Sequence, residues 1–393
     1  MKYVVIIADG SADVPQEALG GKTPLEAADT PAMDRLAAAG LVGTVRTVPP
    51  GFSPGSDVAM MSIVGCDPAD YYTGRAPLEA ASMGVDLSDG DWAARCNLVT
   101  IVDGRMADYS AGHISVEEAA AICESLNESL GSEAIVFHPG KGYRNLLVLL
   151  SRGDLEVETT PPHDIAGRPV ADYLPRGRDA ALFVELMEAS RGVLSSHEVN
   201  SRRAASGLPE ATSIWLWGQG RATSLPQFRE RYGPSAAVIT AVDLVAGICA
   251  LAGWERIVVP GATGYYDTDY EGKASAAAAA LDGCDLVLVH VEAPDEASHN
   301  RDLANKIRAI ENIDAKVVAP LASLAGSEGM RVLVMSDHYT LVSTGAHDGT
   351  PVPFALAGPG VEREGGASFS EAAAAAGPRL SGGGELMERL LGG

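Results

Sequence analysis

Seven residues combine types and spacings suited to chemistry, and Ser56 is the centre of them. It stands between Gly55 and Asp57 in GFSPGSDVAMMSIVGCDP, residues 51 to 68, where the apolar run Val58, Ala59, Met60, Met61 begins. A serine there reads as a turn that delivers a hydroxyl at a helix start, with Gly55 allowing close backbone approach. On spacing alone the commoner reading is a helix N-cap. The rest of the chain shifts the balance. Asp9 ends the run YVVIIA, Asp295 and His299 sit four apart in DEASH, Asp337 and His338 are adjacent in SDH, and His347 follows in GAHDG. At i, i+4 a carboxylate and an imidazole share one helix face, within reach of one ion. Any one of these groups is commonly a satisfied polar pair at a strand end. Three carboxylates, three imidazoles and a serine together suit a two-metal site that polarises a phosphoryl group and lowers a hydroxyl pKa. Mixed His and Asp donors suit manganese or zinc, and admit magnesium.

These residues must be held by strands and helices that the pattern also predicts. Residues 3 to 8 read as a fully buried strand ended by Asp9-Gly10, which puts Asp9 where ligands bind in α/β sheets. Thr30-Pro31 reads as the cap of a helix carrying Met33, Leu36 and Ala37, and residues 43 to 48 as a short strand. The pattern resumes near residue 236 with strand–helix alternation. DLVLVH and RVLVM read as buried strands leading into the two ligand pairs, and His347 as a loop residue before a last apolar strand. Between these halves the character changes. NLVTIVDGRMADYSAGHI reads as strands around an Asp-Gly hairpin, followed by helices at 116 to 130 and about 180 to 194 and by SIWLWGQGRA, a strand running into a Gly-rich turn at Arg221. The expected fold is therefore an α/β core from residues 1–85 and 230–393, with a mostly parallel sheet covered by helices on both faces. An α+β domain of residues 86–229 is inserted in it.

With 393 residues the chain suits two domains, and 46% hydrophobic content marks it as globular. A formal charge of −23 argues against nucleic acid or an anionic membrane as partner. It leaves room for a small anionic substrate, because bound cations and local arginines invert the field inside a cleft. The run from Tyr3 to Ala8 is too short for a signal core, and no run approaches the ~20 residues of a membrane span. Five scattered cysteines without a CxxC pair read as reduced, buried thiols, so a cytoplasmic protein is expected.

The set of Asp9, the GSDVA motif at Ser56, DEASH, SDH and His347 resembles the alkaline phosphatase superfamily. Within it, order and spacing resemble the archaeal-type cofactor-independent phosphoglycerate mutases, and the likeness extends to YYTGRAPLEAASMGV and to the YEGK run ending at Lys273. The resemblance implies an alkaline-phosphatase-like core and two divalent metals. Asp295, His299 and His347 would hold one, and Asp9, Asp337, His338 and Ser56 the other. Ser56 would carry the phosphoryl group as phosphoserine, with Lys273 near the transferring phosphate. The inserted domain would grip the rest of a small phosphorylated substrate through loop residues Asp108, His113, Arg144, His163 and Arg221.

The chain departs from the pattern in two places. Where the archaeal mutases resemble DRRAGR, it has Asp108-Tyr109-Ser110-Ala111-Gly112-His113, and after SDH it has Tyr339-Thr340-Leu341 in place of a proline turn. Arginine forks are the natural clamp for a substrate with two anionic groups. The CNLVTI, ADYSAGHIS and WLWGQGRA runs resemble a bacterial subgroup proposed to contain homoserine kinases. Mutase activity on 3-phosphoglycerate is the expectation, phosphotransfer to homoserine the alternative, and a non-catalytic metal-binding relative a third reading that the full set of seven residues disfavours.

Overall fold

Every residue of Tyr3–Ala8 and of Leu286–Val291 is buried. Alternate side chains of a strand point to opposite faces, so both faces of the sheet they form must be covered. In the computed structural model, which describes residues 1–392, these are the central strands of an eight-stranded sheet. Its order is Arg379–Leu380, Leu41–Val45, Val352–Ala357, Arg331–Met335, Tyr3–Ala8, Leu286–Val291, Ala236–Ile239, Glu255–Ile257. All neighbours run parallel except around Val352–Ala357, which is antiparallel to both strands beside it. On one face Val4, Ile6, Val287, Val289, Val332 and Val334 pack with helix residues Met33, Leu36, Ala277, Ile310 and Ile313. The fold is α/β with a mostly parallel sheet, as expected.

The chain divides into two compact units, residues 1–72 with the chain from Ser224 onward, and residues 73–223. The first boundary lies thirteen residues before the expected 85/86. The helix Arg75–Ser82 belongs with the second unit because Ala76 and Ala80 bury against Ala93 and Leu146. The second boundary also moves: Phe228 packs on Trp254 with ring centroids 4.8 Å apart, so the helix Phe228–Tyr232 belongs to the first unit. The second unit is a five-stranded antiparallel sheet in which Trp92–Val102 pairs with Arg144–Leu149 and Arg105–Asp108 and also with Ser213–Arg221. Helices Val116–Leu130 and Ala180–Ser195 supply Ile122, Leu126, Phe183 and Met187 to its core.

Several local expectations shift by a tertiary cause. Thr30 makes no side-chain cap on the helix Pro31–Ala39. The carboxylate of Asp314 takes that place, accepting from the Ala32 and Met33 N–H groups at 3.1 and 2.7 Å. His347 lies not on a free loop but in the strand Ala346–Asp348, paired with Tyr339–Leu341. That ribbon is anchored from below by a fully buried ion pair. Lys306 Nζ lies 2.9 Å from Asp13 Oδ2 and donates to the Thr340 carbonyl at 2.7 Å, while the Val342 N–H donates to the same Asp13 oxygen at 3.0 Å. Removing one member of such a pair leaves an uncompensated charge. Lys306→Met is therefore expected to destabilise the protein by about 3–5 kcal/mol in urea denaturation. A loss below ~1 kcal/mol would show that the pair does not hold the ribbon.

Candidate active site

Ser56 opens the helix Ser56–Ile63, with Gly55 in extended conformation as its N-cap. The serine is therefore not the cap, and the commoner reading of its position fails. Its Oγ lies 3.1 Å from His338 Nε2, a partner 282 residues away. Asp57 is an anchor of the turn: its carboxylate accepts from the Val58 N–H at 3.0 Å and from the Tyr72 hydroxyl at 2.6 Å.

Around His338 the strand ends converge, because parallel neighbours bring their C-terminal ends to one edge of the sheet. Asp9 follows Tyr3–Ala8, and Asp337 and His338 follow Arg331–Met335, the two strands being in register as neighbours. His338 Nε2 lies 3.5 Å from Asp9 Oδ1 and 3.4 Å from Asp337 Oδ2. Neither of those buried carboxylate oxygens has a hydrogen-bond partner. Asp337 is oriented by its other oxygen, which accepts from the Gly10 N–H at 3.1 Å and the His338 N–H at 2.9 Å. Burial, then the charges of Asp337, Asp295 and Glu292, hold the Asp9 carboxyl well above the usual range, and burial pulls the His338 imidazole down. A bound cation reverses that repulsion.

The second group forms on the helix Ala293–His299 and the ribbon. Asp295 Oδ2 lies 3.1 Å from His299 Nε2, and Asp295 Oδ1 lies 3.4 Å from His347 Nε2. The two imidazole Nε2 atoms are 3.0 Å apart. Each ring's other nitrogen faces a carbonyl, His299 Nδ1 at 2.8 Å from Gly345 O and His347 Nδ1 at 3.3 Å from Pro54 O. A carbonyl can only accept, so Nδ1 carries a proton in each ring, and Nε2 is the nitrogen left to offer a lone pair to a cation. Without a cation, the hydrogen bond from His299 Nε2–H to Asp295 lifts His299 to about 9, so the ring holds both protons, and a cation there would displace the inner one. Donors of Asp295, His338 and His347 lie within 4.8 Å of one another, as do those of Asp9, His290 and Asp337. Two unpartnered buried carboxylate oxygens and imidazoles whose Nε2 atoms turn inward fit divalent cations.

Sequence reasoning missed three residues. His290, in Leu286–Val291, is fully buried, with Nε2 2.9 Å from Asp9 Oδ2 and Nδ1 3.2 Å from Thr240 Oγ1. Burial lowers it to about 4, so the ring is neutral, and toward an ionised Asp9 its Nε2–H is the donor. It thereby aims Asp9's other oxygen into the site. Its signal was a histidine inside an otherwise apolar strand. Glu292, at the end of that strand, groups with Asp9 and Asp295. Thr340 donates to Asp295 Oδ1 at 2.6 Å. Lys273 is buried, its Nζ donating to the His290 carbonyl at 2.9 Å, and burial pulls it down to about 8 against the raising effect of Glu292. It supports the strand that bears His290.

In the second unit, Asp108 folds the following turn onto itself, accepting from the Ser110 N–H and hydroxyl at 2.7 and 2.6 Å and from the Gly112 N–H at 2.8 Å. Ala111, Gly112 and His113 all take positive φ. Buried Arg203 holds that strained turn, donating to the Ala111 carbonyl at 2.7 Å and pairing with Glu118 at 2.6 Å. His113 faces Tyr143, and His163 faces both Tyr109 and Trp217, with centroids 5.3 to 6.4 Å apart. Arg144 lies over Tyr143, and Arg95, buried and paired with Glu79, lies over Trp217. His113, Arg144 and His163 thus gather around the rings of Tyr109, Tyr143 and Trp217, with Asp108 folding the turn that carries His113. Arg221 does not join them. It pairs opposite Trp92 while Arg144 pairs opposite Asn97, and five residues of strand separate them by roughly 17 Å.

This chain is similar to characterised families at three levels. The family model described as 2,3-bisphosphoglycerate-independent phosphoglycerate mutase matches residues 37–200. A protein of that name from Methanosarcina acetivorans is 54% identical over 91% of this chain and 90% of its own length. One from Methanothrix thermoacetophila is 52% identical over 96% of each. Among solved structures, a protein from Pyrococcus horikoshii matches with TM-score 0.82 and 29% identity, covering 100% of this chain and 97% of its own. The cofactor-independent phosphoglycerate mutase of Thermoplasma acidophilum matches with TM-score 0.68 and 27% identity, covering 100% and 99%.

Proposed function

Since the chain belongs to the 2,3-bisphosphoglycerate-independent phosphoglycerate mutases, we propose that it moves a phosphoryl group between the two hydroxyls of glycerate through Ser56. It is an isomerase that interconverts 3-phosphoglycerate and 2-phosphoglycerate, a step of glycolysis. The observation that carries the role of Ser56 is its hydroxyl, 3.1 Å from His338 Nε2 beside the unpartnered oxygens of Asp9 and Asp337. Asp295, His299 and His347 are assigned to one divalent cation, and Asp9, Asp337, His338 and Ser56 to the other. Manganese or zinc is the assignment best suited to this mixture of imidazole and carboxylate. Bound there, the two cations would neutralise phosphoryl oxygens and lower the pKa of the serine hydroxyl.

The chain's own residues then account for the steps. Ser56 Oγ attacks the phosphorus of 3-phosphoglycerate as the bond to substrate O3 breaks, and the serine proton ends on O3. Glycerate stays bound, and its O2 takes the phosphoryl group back from Ser56 while the O2 proton returns to the serine. No nucleotide or water is consumed, so water must be kept from the phosphoserine while glycerate turns. Asp108, His113, Arg144 and His163 are assigned to the substrate's carboxylate and hydroxyls. Lys273 is assigned to positioning, through the His290 carbonyl. The names of relatives at 48–54% identity carry the mutase reading and do not favour homoserine as acceptor. The five buried, unbridged cysteines support a reducing, cytoplasmic setting, and no helix among the described residues is long and apolar enough to cross a membrane.

The test is one assay panel on metal-loaded protein. 3-Phosphoglycerate alone should be converted, read through coupled enolase, and ATP should not be consumed in the presence of homoserine. The reverse pattern would overturn the mutase reading. In the same assay Arg144→Ala is expected to reduce kcat/KM by roughly 10²-fold or more, since it removes an arginine proposed to clamp an anionic group. Arg221→Ala, far from that cluster, should have a smaller effect. Equal losses would show that the cluster is not the clamp.

A further inference from the structure

We propose that Thr340 is a positioning residue that sets both halves of the cation site through a single hydroxyl. Its origin is fixed: the Thr340 N–H donates to the Ala12 carbonyl at 3.2 Å, its carbonyl accepts from Lys306 Nζ, and it stands directly across the ribbon from His347. The side chain is fully buried. Its Oγ1 lies 2.6 Å from Asp295 Oδ1 and 3.1 Å from His338 Nδ1.

A threonine hydroxyl has one proton to give and two lone pairs to receive. An ionised carboxylate only accepts, so the proton goes to Asp295. The His338 contact must then run the other way, from Nδ1–H to Oγ1. The Tyr339 carbonyl, 3.3 Å from the same nitrogen, also only accepts and enforces the same choice. With the ring proton on Nδ1, the Nε2 lone pair of His338 is left facing Ser56, Asp9 and Asp337. One hydroxyl therefore orients a ligand of the first cation and selects the tautomer of a ligand of the second. Space for it is reserved by Gly10, which has φ +60°. A Cβ there would sit 2.5 Å from Thr340 Oγ1 and 2.6 Å from Asp295 Oδ1.

This inference rests on the two-cation reading, and the experiment separates their failures. Chelator-stripped full-length wild type, Thr340→Val and Thr340→Ser would be titrated with Mn²⁺ alone by calorimetry, with thermal melts of the metal-free proteins alongside. Valine keeps the shape and loses the hydroxyl, whereas serine keeps the hydroxyl. Thr340→Val should bind both ions about 10–100-fold more weakly, and Thr340→Ser should bind close to wild type. In metal-free wild type, ¹⁵N chemical shifts should place the His338 proton on Nδ1. Wild-type affinity in the valine variant, equal losses in valine and serine, or a proton on Nε2 would each overturn the role of Thr340. The ¹⁵N measurement and the serine variant keep the question decidable if the valine variant does not fold. His299→Ala and His338→Ala serve as controls. If each loses an ion while Thr340→Val loses none, only this inference falls, and if neither loses an ion, the two-cation reading falls with it.

Discussion

Ser56→Ala is expected to lower mutase turnover by roughly 10⁴-fold or more, which corresponds to about 5.5 kcal/mol of transition-state stabilisation. The serine contributes one hydroxyl at the first turn of a short helix, and its bond is to His338 rather than to the helix backbone. The turn itself is held by Asp57, through Val58 and Tyr72, so the fold should survive the substitution. Brief incubation of wild type with 3-phosphoglycerate, followed by acid quench and mass spectrometry, should find a phosphate on Ser56 and none in the alanine variant. Wild-type-like turnover by the variant would remove the nucleophile assignment.

The second large effect concerns the cations. Chelation should abolish activity, and added manganese or zinc should restore it, because deprotonated ligands and two ions are required together. The two groups are separable. His299→Ala removes a ligand from the Asp295 group, and His338→Ala removes the imidazole that bridges Ser56, Asp9 and Asp337. Each variant should bind about one ion fewer by elemental analysis under the two-cation scheme. Unchanged content in both would dissolve that scheme. Metal-free protein should also be less stable than loaded protein, since burial and mutual repulsion raise Asp9 well above its usual range and a cation removes that repulsion.

The residues proposed as ligands stood out in the sequence because several of them follow a local rule. Asp9 and Asp337 follow short apolar runs, and parallel strands bring such ends to one edge. Asp295 and His299 are one helical turn apart, and the structure brings them to 3.1 Å. Strand and helix periodicity likewise carried the α/β class of the core and the mixture of strands and helices in the second unit.

Other features depend on contacts between residues far apart in the chain, which periodicity does not encode. The unit boundary at residue 72 was decided by Ala76 and Ala80 finding Ala93 and Leu146, and small residues in a helix do not announce their partner. The cap of Pro31–Ala39 comes from Asp314, and the orientation of Asp9 from His290, each 281 or more residues away. In the candidate substrate surface, Arg144 and Arg221 look equivalent on paper as loop-flanking arginines. Strand register places one against Tyr143 and sends the other to the opposite end of the sheet.

By itself, then, the sequence determined which side chains could hold cations and present a nucleophile, because those choices are written in residue type and in the 3.6- and 2-residue periods. Only the tertiary structure decided which nitrogen of each imidazole faces inward and which carboxylate oxygens stay unpartnered. Those properties belong to hydrogen bonds with Gly345, Pro54, Thr340 and Thr240, whose positions depend on the packing of the whole first unit.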